Sequence, residues 1–419
     1  MLKLFLRAGP LLASVIVLVG CSSATSASAS PSAGTSLPLT LPTAAVPTAS
    51  VALPSATATP TLTPLPTAEP SPSAAVAGWS VPVRIRNGSC WGLTAAIDPS
   101  GRYHVAAVCD NAIHYLTSPD GTDWAETAFV PPVGRLEQDP QLTLDGDTVS
   151  MAYSLIAPTD GGCGDDGLQD VGVYTRSIRP PDGSWSTPVK VGATGDRVQS
   201  YRVVDGTVFL TVTAKDGAGP LYYETQSGTD LSRIAIPGAV TTSLRVGDDG
   251  RARIAYATGH AIHYARVDGG QLSGTTVAAS DKTFLKSPSL VLGPGDHAYM
   301  VWNQNVDNGG GCVSLEPGPL DGIYFGTDAS GSWKTARLTK QPGVAALTLD
   351  PSSGRIDVVI GLGPGLSVST SVGGARWTST PLPGTTGLSD PVIRHDPLTG
   401  GTSVFASDYD TGIFLVTGP

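Results

Sequence analysis

The chain has 419 residues, of which 51 are glycine, 35 are proline and 14% are charged, and its formal net charge is −10. This length fits two ordinary domains or one large repeat fold, and the lack of long helical periodicity in the sequence favours many short strands joined by turns. Nucleic acid is not a predicted partner, because an acidic surface repels phosphate backbones.

Residues 1–21 have the features of an export signal. Lys3 and Arg7 give a basic start, and the apolar run over residues 11–19 is too short to span a bilayer securely. Leu18–Cys21 then resembles a bacterial lipobox, whose cysteine is lipidated and becomes the first residue of the mature protein. The resemblance implies a palmitate-type anchor on Cys21 and a location on the extracytoplasmic face of the cell membrane. An ordinary secretory signal is the alternative.

Residues 22–77 are predicted to be a disordered linker. They are nearly all Ser, Thr, Ala and Pro, with Glu69 as the only charge. Such a segment cannot bury enough apolar surface to offset the entropy lost on ordering, and its prolines favour an extended spacer. Residues 78–419 are therefore the predicted folded domain.

The sequence of the folded domain contains a repeated unit. The glycine of one tight turn recurs with successive differences of 45, 60, 44, 45, 59 and 46 residues, at Gly101, Gly146, Gly206, Gly250, Gly295, Gly354 and Gly400. A period of about 45 residues with four short strands per unit is typical of a β-propeller blade. We predict an all-β propeller of seven four-stranded blades, with six as the alternative. The second and fifth units carry insertions between their second and third strands.

The last unit contains only three predicted strands. The segment Trp79–Val83 resembles the outer strand that begins at Trp185, and it has no partner nearby in sequence. We therefore predict that this N-terminal strand completes the last blade and closes the ring, which hides the strand edges.

The turn before the outer strand carries a family resemblance. Ser118–Trp124, with the sequence SPDGTDW, resembles the Asp-box of sialidase-like (BNR-repeat) propellers. Degraded copies occur at Pro181–Trp185, Thr327–Trp333 and Ser371–Trp377, of which the last has no aspartate. The resemblance covers residues 79–419 and implies a propeller in which the Asp caps turn amides and the Trp packs between sheets.

The same resemblance raises exo-alpha-sialidase activity as an alternative function. Such enzymes hold the substrate carboxylate with three arginines, use a Tyr nucleophile paired with a Glu and an acidic Asp, and carry an Arg-Ile-Pro motif near the domain start. Here residues 84–86 are Arg-Ile-Arg, without the proline and on a predicted outer strand. No residue is therefore assigned a catalytic role.

Arg202, Arg245 and Arg394 fall on predicted inner strands, near the central axis. An arginine there must be paired or must serve a ligand, because burying it alone is costly. The functional interpretation is an anion-binding centre, with Tyr201 beside Arg202 and with two acidic residues, Glu137 and Asp139, just before another inner strand. The alternative is a set of internal salt bridges and a water-filled channel.

The four cysteines of the folded domain predict two disulfides in an exported protein. Cys90 and Cys109 flank the first inner hairpin and are expected to pair with each other. Cys163 and Cys312 lie in the two insertions and are expected to bridge across the ligand-binding face. No metal or cofactor is predicted; calcium in the acidic loop 160–170 is the alternative to a solvated loop, since EF-hand spacing is missing.

Four polar or aromatic residues end second strands on the face that carries the insertions: Asp110, Asn111, Trp302 and Asn303. An aromatic platform with neighbouring amides suits sugar recognition. A buried Trp with ordinary loop residues is the alternative. The predicted function is non-catalytic binding of an extracellular glycan or protein through this face. The alternatives are a sialidase-type exo-glycosidase and a scaffold subunit of an envelope complex; the sequence does not determine the oligomeric state.

Overall fold

The computed structural model describes residues 78–157, 171–181, 183–215, 217, 219–306, 318–362 and 365–419. In these residues, 28 strands form seven four-stranded antiparallel sheets, and the only helical turn is a short 3-10 turn at Pro294–Asp296. The predicted seven-bladed propeller is thereby confirmed.

The first three blades follow the chain without interruption. Blade 1 contains β2 (Cys90–Ile97), β3 (Tyr103–Cys109), β4 (Ala112–Ser118) and β5 (Ala125–Phe129). Blade 2 contains β6 (Leu136–Asp145), β7 (Thr148–Ile156), β8 (Gly172–Ile178) and β9 (Val189–Val191). Blade 3 contains β10 (Arg197–Val204), β11 (Thr207–Thr213), β12 (Leu221–Ser227) and β13 (Asp230–Ala235).

The next three blades repeat the same order. Blade 4 contains β14 (Thr241–Val246), β15 (Ala252–Ala257), β16 (Ala261–Asp268) and β17 (Gln271–Ala279). Blade 5 contains β18 (Phe284–Leu292), β19 (Ala298–Asn305), β20 (Gly322–Thr327) and β21 (Lys334–Thr339). Blade 6 contains β22 (Val344–Asp350), β23 (Arg355–Leu362), β24 (Gly365–Val372) and β25 (Thr378–Pro381).

Blade 7 joins the two ends of the domain. It contains β26 (Ser389–His395), β27 (Thr402–Asp408), β28 (Gly412–Gly418) and the N-terminal strand β1 (Val83–Asn87), which pairs antiparallel with β28. The strand begins at Val83, four residues later than predicted. The preceding residues already run alongside β28, because the Ser80 amide donates to the Thr417 carbonyl at 2.8 Å.

The seven inner strands, one from each blade, contact one another around a central channel in the order β2, β6, β10, β14, β18, β22, β26 and back to β2. We call the face that carries the turns between first and second strands, such as residues 98–102, the hairpin face. The opposite face carries the connections between second and third strands, and we call it the insertion face.

Hydrophobic clusters fill the clefts between neighbouring blades, and each of the seven clefts in the described residues has its own cluster. Successive side chains of a strand point to opposite faces of the sheet, and both faces are buried against a neighbouring blade, so a strand such as β3 is buried along its whole length. In the cleft between blades 1 and 2, Trp185 lies edge-on to Tyr115, with 4.8 Å between the ring centroids.

The turn before β5 has the geometry that the sequence predicted for it. The Asp120 carboxylate accepts hydrogen bonds from the amides of Thr122 at 2.8 Å and Asp123 at 3.2 Å, and these bonds lower its pKa to about 2. The Trp124 indole donates to the Gly121 carbonyl at 3.0 Å. Trp377 makes the equivalent bond to Gly374 at 3.2 Å, so the Trp contact persists where the aspartate is missing.

Candidate functional site

The channel arginines lie at the hairpin-face end of three inner strands. Arg202 is two residues from the end of β10, and Arg245 and Arg394 are each one residue from the ends of β14 and β26. Their preceding neighbours, Tyr201, Leu244 and Ile393, are buried in the clefts. Because side chains alternate along a strand, the arginines project towards the channel.

Each of these guanidinium groups donates to a main-chain carbonyl next to it. Nη1 of Arg202, Arg245 and Arg394 lies 2.6, 2.7 and 2.7 Å from the carbonyl oxygen of the preceding residue. Arg394 also donates through Nε to the Ala95 carbonyl at 2.7 Å. Among the described residues, no carboxylate pairs with any of the three arginines.

The electrostatic environment disfavours the charge of all three groups. Burial, together with repulsion from Arg394, lowers the pKa of Arg202 to about 10, and burial lowers the pKa of Arg394 to about 10. The pKa of Arg245 is also lowered, by burial and by repulsion from both of the others. Three partly buried cations therefore lie near one another, and the described residues offer them no carboxylate partner.

The arginines share a cavity of about 240 Å³ at the hairpin-face end of the channel. Its other lining residues are two threonines and seven aliphatic residues, namely Thr143, Thr348, Ala95, Ala96, Ile97, Leu142, Leu144, Val291 and Leu347. A second cavity of about 550 Å³ shares Arg245, Val291 and Thr348 with it and reaches Asp248 on the hairpin face. The arginine cavity thus adjoins a larger recess at that face.

A Tyr–Glu pair does exist, but it lies in another place. Glu137 is 1% exposed and pairs with Arg176 at 3.4 Å, and the Arg176 Nε donates to the Tyr153 hydroxyl at 3.1 Å. Burial raises the pKa of Glu137 to about 7, although Arg176 opposes the shift. Arg176 also lies over the Phe129 ring of blade 1, 4.7 Å from its centroid. None of these residues lines the arginine cavity, and the group closes a blade interface.

Asp139 lies inside β6, whereas the sequence placed it and Glu137 just before the inner strand. A bulge interrupts the β6–β7 register between Gln138 and Gln141, and Asp139 there has a left-handed φ of 54°. Pairing resumes beyond the bulge, which extends the strand. Asp139 Oδ2 accepts from Arg197 Nη2 at 2.8 Å. Arg197 begins β10, so this pair joins two inner strands near the insertion face.

Asp110 and Asn111 form the two-residue turn between β3 and β4. Their φ values of 54° and 66° are those of a type I′ hairpin, which asparagine and aspartate tolerate. The Asp110 carboxylate also pairs with Arg86 Nη2 at 3.3 Å. Both residues therefore have a local structural role on the insertion face.

Trp302 is 1% exposed and stacks on Tyr324 inside the cleft cluster of blades 4 and 5. Its ring has no face open to a ligand, and Asn303 beside it is partly buried. Tyr201 is buried next to Arg202, and burial places its pKa above the ordinary range of tyrosine. The candidate residues thus do not form one site: the arginines meet in the channel, and the others are dispersed.

The disulfide between Cys90 and Cys109 is present and joins β2 to β3. Cys163, Cys312 and the acidic loop 160–170 lie outside the described residues. Within the described part of the chain, no group of three or more His, Cys, Asp and Glu side chains could hold a metal ion. In the same residues, no helix has the length and apolar character needed to cross a membrane.

Sequence reasoning missed a buried acidic pair in blade 3. Glu224 and Asp196 are 0% and 1% exposed, and Arg233 lies 3.1 Å from an oxygen of each. Burial and the nearby Asp196 raise the pKa of Glu224 to about 7, against the attraction of Arg233. The only sequence signal was a glutamate directly after the aromatic pair Tyr222–Tyr223 in a strand.

No family model and no curated protein matches the chain. Solved structures do match. An ulvan lyase of polysaccharide lyase family PL25, bound to -[GlcA(1-4)Rha3S]-, superposes with a TM-score of 0.58 at 11% identity, covering 80% of this chain and 95% of that one. Hydrazine synthase from Kuenenia stuttgartiensis gives a TM-score of 0.51 at 11% identity, with 79% and 96% covered.

A sialidase from Trypanosoma rangeli is also similar, with a TM-score of 0.46 at 8% identity, covering 82% of this chain and 58% of that one. At these identities, the similarity to the lyase and to hydrazine synthase shows the propeller fold alone. The matching proteins include enzymes of unrelated chemistry, so the fold does not select an activity.

Proposed function

We propose that the propeller binds, without catalysis, an extracellular ligand that places a carboxylate or sulfate group among Arg202, Arg245 and Arg394. One observation carries the proposal: three guanidinium groups share a cavity whose described wall residues include no carboxylate. An anionic ligand would supply the missing counter-charge. Arginine suits this role, because its planar fork binds carboxylate or sulfate oxygens through two parallel hydrogen bonds.

The composition of the cavity wall supports binding over catalysis. Besides the arginines it offers two threonine hydroxyls and aliphatic side chains, so the described wall has no carboxyl, imidazole or phenol group placed to transfer a proton. The Tyr153–Glu137 pair, which a sialidase-type mechanism would need beside the arginines, is engaged with Arg176 between blades 1 and 2. Sialidase-type exo-glycosidase activity is the alternative outcome of the test below.

Because the arginines lie at the hairpin-face end of the channel, we expect the ligand to enter from the hairpin face and not from the insertion face. Acidic polysaccharide is the first ligand class to test, because the PL25 ulvan lyase, which shares the fold, was solved with the acidic repeat -[GlcA(1-4)Rha3S]-. The negative charge of the whole chain would slow the approach of such a ligand, so binding should depend on local contacts and weaken with salt.

The proposed cellular setting is the bacterial envelope. Cys21 would carry the lipid anchor on the extracytoplasmic face of the cell membrane, and residues 22–77 would hold the propeller away from the bilayer. The ligand could also be a protein, or the propeller could be a scaffold subunit of an envelope complex. Both alternatives agree with this proposal only if the partner presents an acidic group to the arginines.

The test is isothermal titration calorimetry of the purified protein with uronic acid and sulfated oligosaccharides and with their neutral counterparts. We expect binding of the acidic ligands alone, and a loss of at least about 10-fold in affinity for Arg394→Gln and for Arg202→Gln. Arg376→Gln is the matched control, since Arg376 is exposed on the hairpin side and outside the cavity.

Two results would contradict the proposal. Equal binding of acidic and neutral sugars would show that the arginines do not determine which ligand binds. Turnover of a fluorogenic sialoside that disappears in Arg394→Gln would establish the enzymatic alternative instead.

A further inference from the structure

The recess of about 550 Å³ beside the arginine cavity has walls from three blades. It lies at the hairpin-face ends of β14, β18 and β22, and it shares Arg245, Val291 and Thr348 with the arginine cavity. Its other wall residues are Val246, Asp248, Leu292, Gly293, Pro294, Asp296, Leu349 and Pro351. The two cavities meet at three shared residues, so a ligand that is longer than the arginine cavity is expected to continue into the recess.

The sizes of the two cavities favour a ligand that occupies both. Pockets for small molecules in proteins usually measure about 300–1,000 Å³. The arginine cavity, at about 240 Å³, is below this range, whereas the recess lies within it. The anionic group of the proposed ligand would fill much of the arginine cavity. The remainder of a larger ligand therefore has its place in the recess.

Asp296 is one of the two aspartates in the recess wall, and its carboxylate already has partners. Its Oδ1 accepts from the Asp248 amide at 2.9 Å, and its Oδ2 pairs with Nη2 of Arg253 at 3.1 Å. The carboxylate reaches the turn after β14 over Gly247, where a Cβ atom would lie 2.5 and 2.6 Å from its two oxygens. Asp296 therefore fixes the main chain of Asp248 against blade 5, and its own charge is paired with Arg253.

Asp248 is the other aspartate in the wall, and it differs from its neighbours in having a free carboxylate. Asp249, the next residue, pairs with Arg253 at 2.9 Å. Asp248 is exposed, and its carboxylate has no hydrogen bond or ion pair with any of the described residues. Arg245 is only three residues away in sequence, yet no ion pair joins it to Asp248 in the described part of the chain. The recess wall thus contributes one negative charge that is open to a ligand.

The arginine cavity and the recess therefore offer opposite charges to a ligand. The first is lined by Arg202, Arg245 and Arg394, and the second by Arg245 at the shared wall and by the exposed Asp248. Once an anionic group lies among the arginines, a second anionic group in the recess would lie beside the carboxylate of Asp248, and like charges repel each other. A hydroxyl group instead donates to a carboxylate, in a hydrogen bond that the charge of the acceptor strengthens.

The rest of the recess wall suits a sugar ring. Leu292, Pro294, Leu349 and Pro351 provide apolar surface, and the Thr348 hydroxyl has no hydrogen-bond partner among the described residues. Pockets that bind small molecules combine mostly apolar walls with a few polar groups that fix the orientation of the ligand. A pyranose ring matches such a wall, because its C–H groups are apolar and its hydroxyl groups lie at the rim.

We propose that the recess is a second subsite, which takes a neutral sugar unit linked to the acidic unit held by the arginines. Asp248 accepts hydrogen bonds from the hydroxyl groups of the neutral unit and disfavours a second acidic unit there. The inference rests on the proposed function and narrows its ligand class to oligosaccharides in which an acidic unit is joined to a neutral one. Asp248 is then the residue that determines this specificity.

Two disaccharides test the proposal, because they differ only in their second unit. Glucuronosyl-(1→4)-glucose carries one carboxylate, and glucuronosyl-(1→4)-glucuronic acid carries two. Calorimetric titration of each disaccharide into the purified protein measures the two affinities. We expect the first disaccharide to bind at least about 5-fold more tightly, because whichever unit of the diacid lies among the arginines, the other acidic unit lies beside Asp248.

The variant Asp248→Asn replaces the carboxylate by a neutral amide of nearly the same shape. We expect the preference to fall below about 2-fold in this variant, mainly because the diacid binds more tightly than it does to the wild type. The variant should fold as the wild type does, because the exposed side chain has no partner and the main-chain amide keeps its hydrogen bond to Asp296. The melting temperature of the variant checks this.

Two controls separate the recess from effects of overall charge. Asp147→Asn removes the same charge from an exposed turn of the hairpin face that lines neither cavity, and this variant should keep the wild-type preference. Methyl glucuronide has only the acidic unit, so its affinities for the wild type and for Asp248→Asn should agree within about 2-fold.

The contrary outcomes distinguish this inference from the proposed function. Equal affinities of the two disaccharides for the wild type, both weakened in Arg394→Gln, would overturn the second subsite and leave the anion site in place. A preference that persists in Asp248→Asn would assign the specificity to other groups and would also overturn the inference. Failure of all three sugars to bind would overturn the proposed function, and this inference with it.

Discussion

Arginines have different partners in the clefts between blades and in the central channel. In the clefts and on the hairpin face, Arg176, Arg233 and Arg253 each pair with at least one carboxylate at 2.9–3.4 Å. In the channel, Arg202, Arg245 and Arg394 donate only to carbonyl oxygens among the described residues, and they repel one another. The arginines of the first group thus have carboxylate partners, whereas the channel arginines have none among the described residues.

The difference separates charges that hold the fold from charges available to a ligand. A buried pair is costly to break, because the remaining charge loses both water and its partner. An unpaired buried cation lowers stability for as long as no anion is present. Removing an arginine from the first region should therefore destabilise the protein, and removing one from the second should not.

The largest effect is expected for Arg233→Met. This change leaves Glu224 and Asp196, which are almost completely buried, without their cation. We expect the free energy of unfolding at pH 7.5 to fall by about 3 kcal/mol, as for other broken buried ion pairs. Urea titration followed by circular dichroism measures it, with the exposed Arg376→Met as control. A change below about 0.5 kcal/mol would mean that the cleft charges are no more structural than those of the surface.

A smaller effect is expected from the titration of Glu224. Its pKa in the folded protein is about 7, against an ordinary value of 4.5, so the folded state holds a proton that the unfolded state releases between these pH values. The contribution of this group to stability is therefore complete at low pH and is lost as the pH rises through 7.

The Glu224→Gln variant keeps a neutral side chain at every pH. We expect it to match the wild type near pH 4.5 and to exceed it by about 2 kcal/mol at pH 8. Urea titrations at the two pH values measure the difference, and Asp147→Asn, on an exposed residue of the β6–β7 turn, is the control. Parallel pH profiles for wild type and Glu224→Gln would show that Glu224 is ionised throughout this range.

In the channel, the substitution Arg245→Met should raise the free energy of unfolding, whereas Arg233→Met lowers it. The pKa of Arg245 is lowered by burial and by two neighbouring cations, and among the described residues its guanidinium group donates only to the Leu244 carbonyl. We expect the variant to be about 1 kcal/mol more stable in chloride buffer, as when other poorly compensated buried charges become apolar. Excess sulfate should stabilise the wild type and not the variant. Destabilisation of the variant in both buffers would place Arg245 among the structural arginines.

The sequence predicts the architecture because the repeat has strong local signals. The recurring turn glycines, the alternation within strands and the Trp79 segment were enough for seven blades and their closure, and the adjacency of Cys90 and Cys109 followed from one hairpin. The inner-strand positions of the three arginines followed from the same periodicity.

The complete pairing of charges could not be predicted, because part of it depends on contacts outside a single hairpin. Glu224 and Arg233 are opposite each other in the β12–β13 hairpin, but Asp196 joins them from the loop before β10, and no spacing in the chain indicates that contact. The burial of Trp302 similarly depends on Tyr324 across the sheet. A sequence pattern with a period of two also does not indicate which end of an inner strand faces a ligand.

The smallest effect should come from Asn111→Gly, which tests whether the polar residues of the insertion face serve the fold or a ligand. Asn111 has a φ of 66° in the turn between β3 and β4, a conformation that glycine adopts without steric cost. We expect stability to change by no more than about 0.5 kcal/mol, and the affinity for acidic oligosaccharides to equal that of the wild type. Calorimetric titration of both proteins checks this. A loss of affinity that matches the loss in Arg394→Gln would return the ligand site to the insertion face, because Asn111 does not line the arginine cavity and lies in a turn at the opposite face of the ring.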